Sequence, residues 1–223
     1  MKICSLIPAR GGSKGIPVKP LFTINGKPMI NYAIEASLMT DVIDETWVST
    51  ENNKIKNHVQ SIPNVKILDR PSSLADDRAS IEDVMMHFTD NVNYDILVLI
   101  QCTSPMTTAQ DLNGAISQFK RNILLYDSAM SVCWMEQKDI LFWKFEKNTV
   151  TPVNYNPKSR GIRQERTNRY FIETGAFYII KRDQFLKSKC RVGDKVMPIE
   201  MPFWRSFEID TFEDLYSIER LMK

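Results

Sequence analysis

Only two histidines occur in the 223 residues, His58 and His87, and neither adjoins a cysteine or carboxylate motif. A histidine-centred nucleophile triad or zinc site therefore has little to build on, and both rings are expected at the surface. The four cysteines, Cys4, Cys102, Cys133 and Cys190, lie far apart, three of them in or beside apolar runs. Buried free thiols are expected, not disulfides. Glycine is sparse at eight residues, and the absence of repeats and single-residue tracts leaves no place for a disordered tail or a solenoid. No apolar run reaches the length of a membrane span, and the stretch before Pro8 is too short for a signal peptide. A cytoplasmic protein with no membrane partner is expected. Charge of neither sign dominates: 29 basic and 27 acidic residues are spread along the chain, so nucleic acid is not an expected partner. The densest basic stretch, Arg160, Arg163, Arg166 and Arg169, reads either as a small anion-binding or subunit-contact surface or as a solvated loop.

What is present is alternation. Short apolar runs at Ile3 to Ile7, Glu45 to Thr50, Val65 to Leu68, Asp95 to Ile100 and Ser128 to Trp134 predict strands. Apolar residues at helical spacing mark Pro28 to Leu38, Ile81 to Phe88 and Asp111 to Phe119. This rhythm predicts an α/β domain, with a mainly parallel sheet and helices on both faces. The run Ile96-Leu97-Val98-Leu99-Ile100 has no polar alternation and should be the central strand. The pattern breaks down between Leu141 and Asn168, which suggests a protruding hairpin or flap, and the domain insertion is placed around 138–169 of a single 1–223 domain. Tyr170 to Ile180 again reads as a strand. Ser206 to Asp210 is predicted as a last short strand before a helix from Thr211, whose hydroxyl and Asp214 have capping-box spacing.

Four segments carry chemistry. The loop Ala9-Arg10-Gly11-Gly12-Ser13-Lys14-Gly15 through Lys19 follows the first strand, where ligands of open α/β sheets bind. Its glycines let the backbone approach a ligand, and Arg10, Lys14 and Lys19 can surround a triphosphate. Its spacing fits neither G-x-x-x-x-G-K-[ST] nor G-x-G-x-x-G, and a tight surface loop with solvated lysines is the alternative. Glu208 and Asp210, two apart on the predicted strand, form a candidate site for a hard cation such as Mg²⁺; alternatively Asp210 only caps the final helix. Gln101 to Pro105 ends the central strand with a polar cluster that is also an ordinary turn. In Glu173-Thr174-Gly175 through Tyr178, the glycine marks a bulge or a close ligand approach, and core packing of the aromatics is the alternative.

Together with Asn25-Gly26-Lys27-Pro28, Val48-Ser49-Thr50, Arg70-Pro71, Leu74-Ala75-Asp76, Arg163-Gln164 and Ile209-Asp210-Thr211, these motifs resemble, in order and over nearly the whole chain, the cytidylyltransferases that activate acidic keto-sugars. The acylneuraminate type is most similar. The resemblance implies a Rossmann-like, GT-A-like nucleotidyltransferase in a three-layer sandwich, with a small dimerisation lobe and a homodimer. It implies transfer of CMP from CTP to the anomeric hydroxyl of an N-acylneuraminate or another nonulosonic acid, such as legionaminic or pseudaminic acid, with pyrophosphate released and Mg²⁺ (or Mn²⁺ in its place) as cofactor. Arg10, Lys14, Lys19 and Asp210 would be catalytic. Ala9, Gly11, Gly12, Ser13, Arg70, Ser80 and Gln101 would also hold the nucleotide. Gln101, Arg163, Gln164, Glu173, Thr174, Gly175 and Tyr178 would meet the sugar, and Asp210 and Glu208 the metal.

The departures cluster where the sugar is chosen. Glu208 stands where the family usually has Asp, Cys102 follows Gln101 in place of proline, Thr174 replaces the commoner asparagine, and Arg191-Val192 stands where some sialic-acid enzymes have paired aromatics. Lys19-Pro20-Leu21 is similar to the related CMP-Kdo synthetases, which makes Kdo or an amino-Kdo the alternative acceptor. A nucleotide-binding paralogue without turnover is the alternative of another class.

Overall fold

A computed structural model describes residues 1–12, 15–136, 141–159, 162 and 169–223. The chain forms β1 (Ile3–Pro8), the small antiparallel pair β2 (Thr23–Ile24) and β3 (Lys27–Pro28), α1 (Met29–Leu38), β4 (Glu45–Thr50), α2 (Asn53–Gln60), β5 (Val65–Asp69), α3 (Ile81–Asn91), β6 (Ile96–Ile100) and α4 (Ala109–Arg121). There follow β7 (Ser128–Glu136), the hairpin β8 (Trp143–Glu146) and β9 (Thr149–Pro152), β10 (Arg169–Lys181), α5 (Arg182–Ser188), β11 (Val196–Glu200) and α6 (Phe212–Leu221). The main sheet has the order β11-β7-β10-β6-β1-β4-β5, and only β10 runs antiparallel to its neighbours.

β6 is the fourth of the seven strands, as its unbroken apolar run predicts. Its alternate residues divide between two cores because successive side chains leave a strand on opposite faces. Ile96, Val98 and Ile100 meet α1, α2 and α4 through Ile34, Ile55 and Ile116, while Leu97 and Leu99 meet α3 and α5 through Phe88 and Phe185. The result is a three-layer sandwich. A third cluster packs Leu215 and Ile218 of α6 against Ile16, Met29 and Ile209, beside the carboxyl ends of the strands. No helix among the described residues is long and apolar enough to cross a membrane.

The helices start where the sequence allows. Ser80, Thr108 and Thr211 each close a reciprocal capping box with an aspartate three residues on. All four cysteines are free, and Cys4, Cys102 and Cys133 are buried. His58 and His87 are half-buried where surface placement was expected; His58 Nε2 lies 2.7 Å from Asn31 Oδ1, which draws the ring against α1.

Ser206 to Asp210 does not form the predicted strand. After the 3-10 turn Phe203–Arg205 the segment crosses the end of β6, and its ladder consists of one bond, from the Ile209 N–H to the Thr103 carbonyl at 2.8 Å. Burial of Ile209 pins it there. Within the stretch from Leu141 to Asn168, β8 and β9 form an exposed hairpin.

β10 has the bulge that Gly175 suggested. Glu173 pairs with Val132 and Tyr178 with Met130, so Thr174 to Phe177 stand opposite Ser131 alone. Interrupting the ladder would orphan the Phe177 backbone, and the buried Ser131 hydroxyl repairs it. That hydroxyl accepts from the Phe177 N–H at 3.1 Å, donates to its carbonyl at 3.1 Å and lies 2.7 Å from the Thr174 hydroxyl, which donates to it.

Candidate active site

Two cavities open at the carboxyl ends of β1 and β6, where the alignment of strands in an α/β sheet leaves a crevice. The first, of about 300 Å³, is lined by Ala9, Arg10, Lys19, Arg70, Ser80 and Gln101 among others. The second, of about 390 Å³, is lined by Gln101, Thr103, Glu173, Gly175, Tyr178, Arg191 and Glu208. Gln101 and Thr103 belong to both walls, so the two chambers adjoin.

The first chamber is framed by cations held in place by acids. Arg10 donates to the Asp76 carbonyl at 2.9 Å and pairs with Asp77 at 3.2 Å, tying the loop after β1 to the segment that leads into α3. Arg70 has 3% of its side chain exposed and pairs with Glu51 at 2.9 Å. Burial works against its charge and Glu51 works for it. Its Nε is buried with no partner among the described residues. The other oxygen of Glu51 accepts the Gly11 N–H at 2.6 Å, so one carboxylate joins the glycine loop to Arg70. Glu51 escaped the sequence reading; its signal was an acid directly after the strand that ends in Ser49-Thr50. Ser80 lines the chamber with its hydroxyl engaged in the cap of α3. Gly12 is exposed with open space around it, and Ser13 and Lys14 lie outside the described residues.

At the junction, Lys19 leaves a left-handed Val18 (φ 46°) into a short 3-10 turn that Pro20 supports. Its side chain, 12% exposed, donates to the Ile209 carbonyl at 3.0 Å and to Asp210 Oδ1 at 2.9 Å. Gly15 makes this approach possible: a Cβ there would lie 2.5 Å from the Asp210 carbonyl oxygen. Asp210 is 74% exposed and does not cap α6, because Thr211 does. Cys102, beside the junction, is buried, which pushes its thiol up to about 11 and disfavours the thiolate.

The second chamber is partly acidic. Gly175 holds φ +69°, and a Cβ on it would meet the Glu208 carboxylate at 2.2 Å, so Glu208 is packed on the bulge. Of the expected metal pair, Asp210 contacts Lys19 while Glu208 packs on Gly175 and lines the second chamber with Tyr178. Burial first, and then the Asp210 charge, raise the Glu208 pKa, with Lys19 and the Ser104 hydroxyl opposing. Tyr178 donates to Glu173, and burial together with that carboxylate raises its phenol above the ordinary value. Thr174, read from sequence as a sugar contact, is turned into the core by the bulge and bonds Ser131. Arg163 and Gln164 lie outside the described residues, and Arg191 takes a place on the wall that spacing alone did not assign.

As to a metal, no group of three or more His, Cys, Asp or Glu side chains converges among the described residues. Asp210, exposed and bonded to Lys19 of the first chamber's wall, offers a hard oxygen that suits a cation whose remaining ligands are phosphate oxygens and water, and Asp76 and Asp77 also line that chamber.

The cytidylyltransferase family model matches residues 4–223. N-acylneuraminate cytidylyltransferase A of Danio rerio is 31% identical over 212 residues, which is 93% of this chain and 48% of that protein. The N-acylneuraminate cytidylyltransferase of Streptococcus agalactiae serotype V is 24% identical over 98% of this chain and 52% of its own length. The chain therefore spans about half the length of the curated relatives it matches. Among solved structures, a CMP:2-keto-3-deoxy-manno-octonic acid synthetase complexed with CTP superposes with a TM-score of 0.74 at 21% identity, covering 100% of this chain and 98% of the other. A 4-diphosphocytidyl-2C-methyl-D-erythritol synthase from Anaerococcus prevotii gives 0.68 at 11% identity, covering 100% of this chain and 96% of the other. At these identities the two structures bear on the fold.

Proposed function

The chain belongs to the cytidylyltransferase family, and we propose that it transfers CMP from CTP to the anomeric hydroxyl of an acidic keto-sugar of the N-acylneuraminate class, releasing pyrophosphate. The observation that carries this reading is the pair of chambers sharing Gln101 and Thr103, one framed by Arg10, Lys19 and Arg70 and the other by Glu173, Tyr178 and Glu208. A triphosphate suits the first. A polyhydroxylated acceptor suits the second, whose carboxylates and tyrosine match sugar hydroxyls.

The acceptor hydroxyl oxygen attacks the α-phosphorus and gives up its proton to solvent, the bond to the β-phosphate oxygen breaks so that pyrophosphate leaves, and the protein aligns the two substrates and neutralises charge. Arg10 and Lys19 face the phosphates, and the unpartnered Nε of Arg70 gains an acceptor when the nucleotide enters. Asp210 would hold Mg²⁺, which when bound supplies charge neutralisation on phosphate oxygens. Gln101 orients both substrates from the shared wall. Lys14, Arg163 and Gln164 are assigned to the same site from sequence alone. A homodimer formed through the lobe of a single 1–223 domain is part of this reading, supported by the exposed pair Trp134 and Phe171, with centroids 4.0 Å apart and rings tilted by 38°, and the exposed Trp143 and Phe145.

Pyrophosphate release from CTP, measured across N-acetylneuraminic, legionaminic and pseudaminic acids and Kdo with Mg²⁺ present, tests the proposal. Release with one of the nonulosonic acids is the expected result. Release with none of the four sugars overturns the reaction, and release with Kdo alone moves the acceptor to that sugar.

A further inference from the structure

We infer that Arg191 selects the acceptor by donating hydrogen bonds to one of its oxygen substituents, a hydroxyl or a carboxylate, set against Tyr178; this rests on reading the chamber that holds Glu208 as the acceptor's. Arg191 lies in the connection from α5 to β11. The helix ends on Lys189 in the left-handed region (φ 54°), its N–H bonded to the Phe185 carbonyl at 2.8 Å, and this turn brings the chain back toward β10. The guanidinium carbon then stands 5.1 Å from the centre of the Tyr178 ring, and Nε pairs with Glu82 in the first turn of α3 at 3.2 Å.

These two contacts hold the guanidinium without using it up. The Tyr178 ring attracts the cation and Glu82 pairs with Nε, and the two terminal nitrogens have no hydrogen-bond partner among the described residues. A planar cation held from two sides, with its terminal N–H groups free on a cavity wall, is a preformed fork for oxygen. Its surroundings sharpen the choice. Among the described residues lining this chamber Arg191 is the one cation, against the carboxylates of Glu173 and Glu208, and the Tyr178 hydroxyl is already committed to Glu173. An apolar substituent placed here would strip water from the guanidinium and return nothing, whereas an oxygen replaces the lost water.

Steady-state kinetics of the full chain with CTP and its preferred acidic keto-sugar test this. Arg191→Met is expected to raise the acceptor KM about 10–100-fold, the range for losing a hydrogen bond to a charged group, while the CTP KM stays unchanged. Arg191→Lys, which keeps the charge but not the fork, is expected to fall between. An acceptor KM near the wild-type value in both variants overturns the inference, as does an equal rise in the CTP KM. Two acceptor analogues identify the oxygen: one with the carboxylate converted to the amide, the other lacking the hydroxyl nearest the ring. The analogue whose penalty is large with wild type and vanishes with Arg191→Met carries the oxygen that Arg191 reads. Penalties of unchanged size in the variant for both analogues overturn the inference. No pyrophosphate from wild type with any acidic keto-sugar overturns the reading of the site itself, and that failure is distinguishable because no variant is involved.

Discussion

The Lys19 ammonium stands 2.9 Å from Oδ1 of Asp210, a contact that closes 191 residues of chain at the junction of the two chambers. Because Asp210 is 74% exposed, water screens the pair and its contribution to stability is at most about 1 kcal/mol. Its importance lies in turnover. Lys19→Met is expected to cut pyrophosphate release by roughly three orders of magnitude while shifting the thermal midpoint by no more than a few degrees. Kinetics and a melting curve on the same preparation check both halves; near-normal turnover removes Lys19 from the chemistry.

The different contacts of the two carboxylates, Asp210 with Lys19 and Glu208 with Gly175, give an asymmetric pair of variants. Asp210→Asn is expected to abolish the response of activity to Mg²⁺ or Mn²⁺, and activity with it. Glu208→Gln should leave the metal midpoint where it was and alter the acceptor KM, because this carboxylate packs on Gly175. Titrating activity against Mn²⁺ in both variants decides the matter. A midpoint that moves equally in the two would make Glu208 a ligand.

Glu51 serves two partners, the Gly11 N–H at 2.6 Å and Arg70 at 2.9 Å. Glu51→Ala leaves a nearly buried guanidinium without its counter-charge, at an expected cost of about 2–4 kcal/mol in urea unfolding. The CTP KM should rise with the acceptor KM unaffected. A variant as stable as wild type would mean that Arg70 finds water or another acceptor.

Much of this arrangement was legible in the residues. The unbroken run Ile96 to Ile100 placed the centre of the sheet, Thr211 and Asp214 placed the start of α6, and Gly175 marked the bulge, each through a local rule acting within a few residues. What escaped is decided by contacts far apart in sequence. Ser206 to Asp210 has strand-like composition, but its place is set by Ile209 and Lys19, which leave no neighbour to pair with. Thr174 looked available until the bulge turned it toward Ser131, 43 residues away. Glu51 becomes part of the site only through partners on other elements, which no spacing encodes, whereas Arg191 is marked through the resemblance alone.

Ser131 supports the bulge with one hydroxyl that answers the Phe177 N–H, the Phe177 carbonyl and the Thr174 hydroxyl. Ser131→Ala should cost about 2–3 kcal/mol, since it strands buried polar groups that water cannot reach. Chemical denaturation measures it, and a cost below about 0.5 kcal/mol would show that the backbone relaxes to satisfy itself.

Glu45 provides the pH dependence. A hydrogen bond from Lys66, with further bonds from the Trp47 ring N–H and Lys2, holds its carboxyl down at about 2. A carboxyl depressed on folding adds stability above its unfolded pKa, near 4.3, and loses it as pH falls toward 2. Water screens this cluster through its exposed lysines, so Glu45→Gln should be less stable than wild type by only about 1 kcal/mol at pH 7, with the gap narrowing steadily below pH 4. Urea midpoints at pH 7, 4 and 3 test this, and a gap independent of pH would refute it.

The bulge in β10 also works as an expansion joint. Four residues, Thr174 to Phe177, span the place of Ser131, so the inner half of the strand, from Tyr178, keeps its own alternation whatever happens in the outer half beyond Glu173. Residues gained or lost toward Arg169 would be absorbed there instead of turning Tyr178 to the wrong face. The facing of Tyr178 is thereby set by its own pairing with Met130, and not by the pairing beyond Glu173.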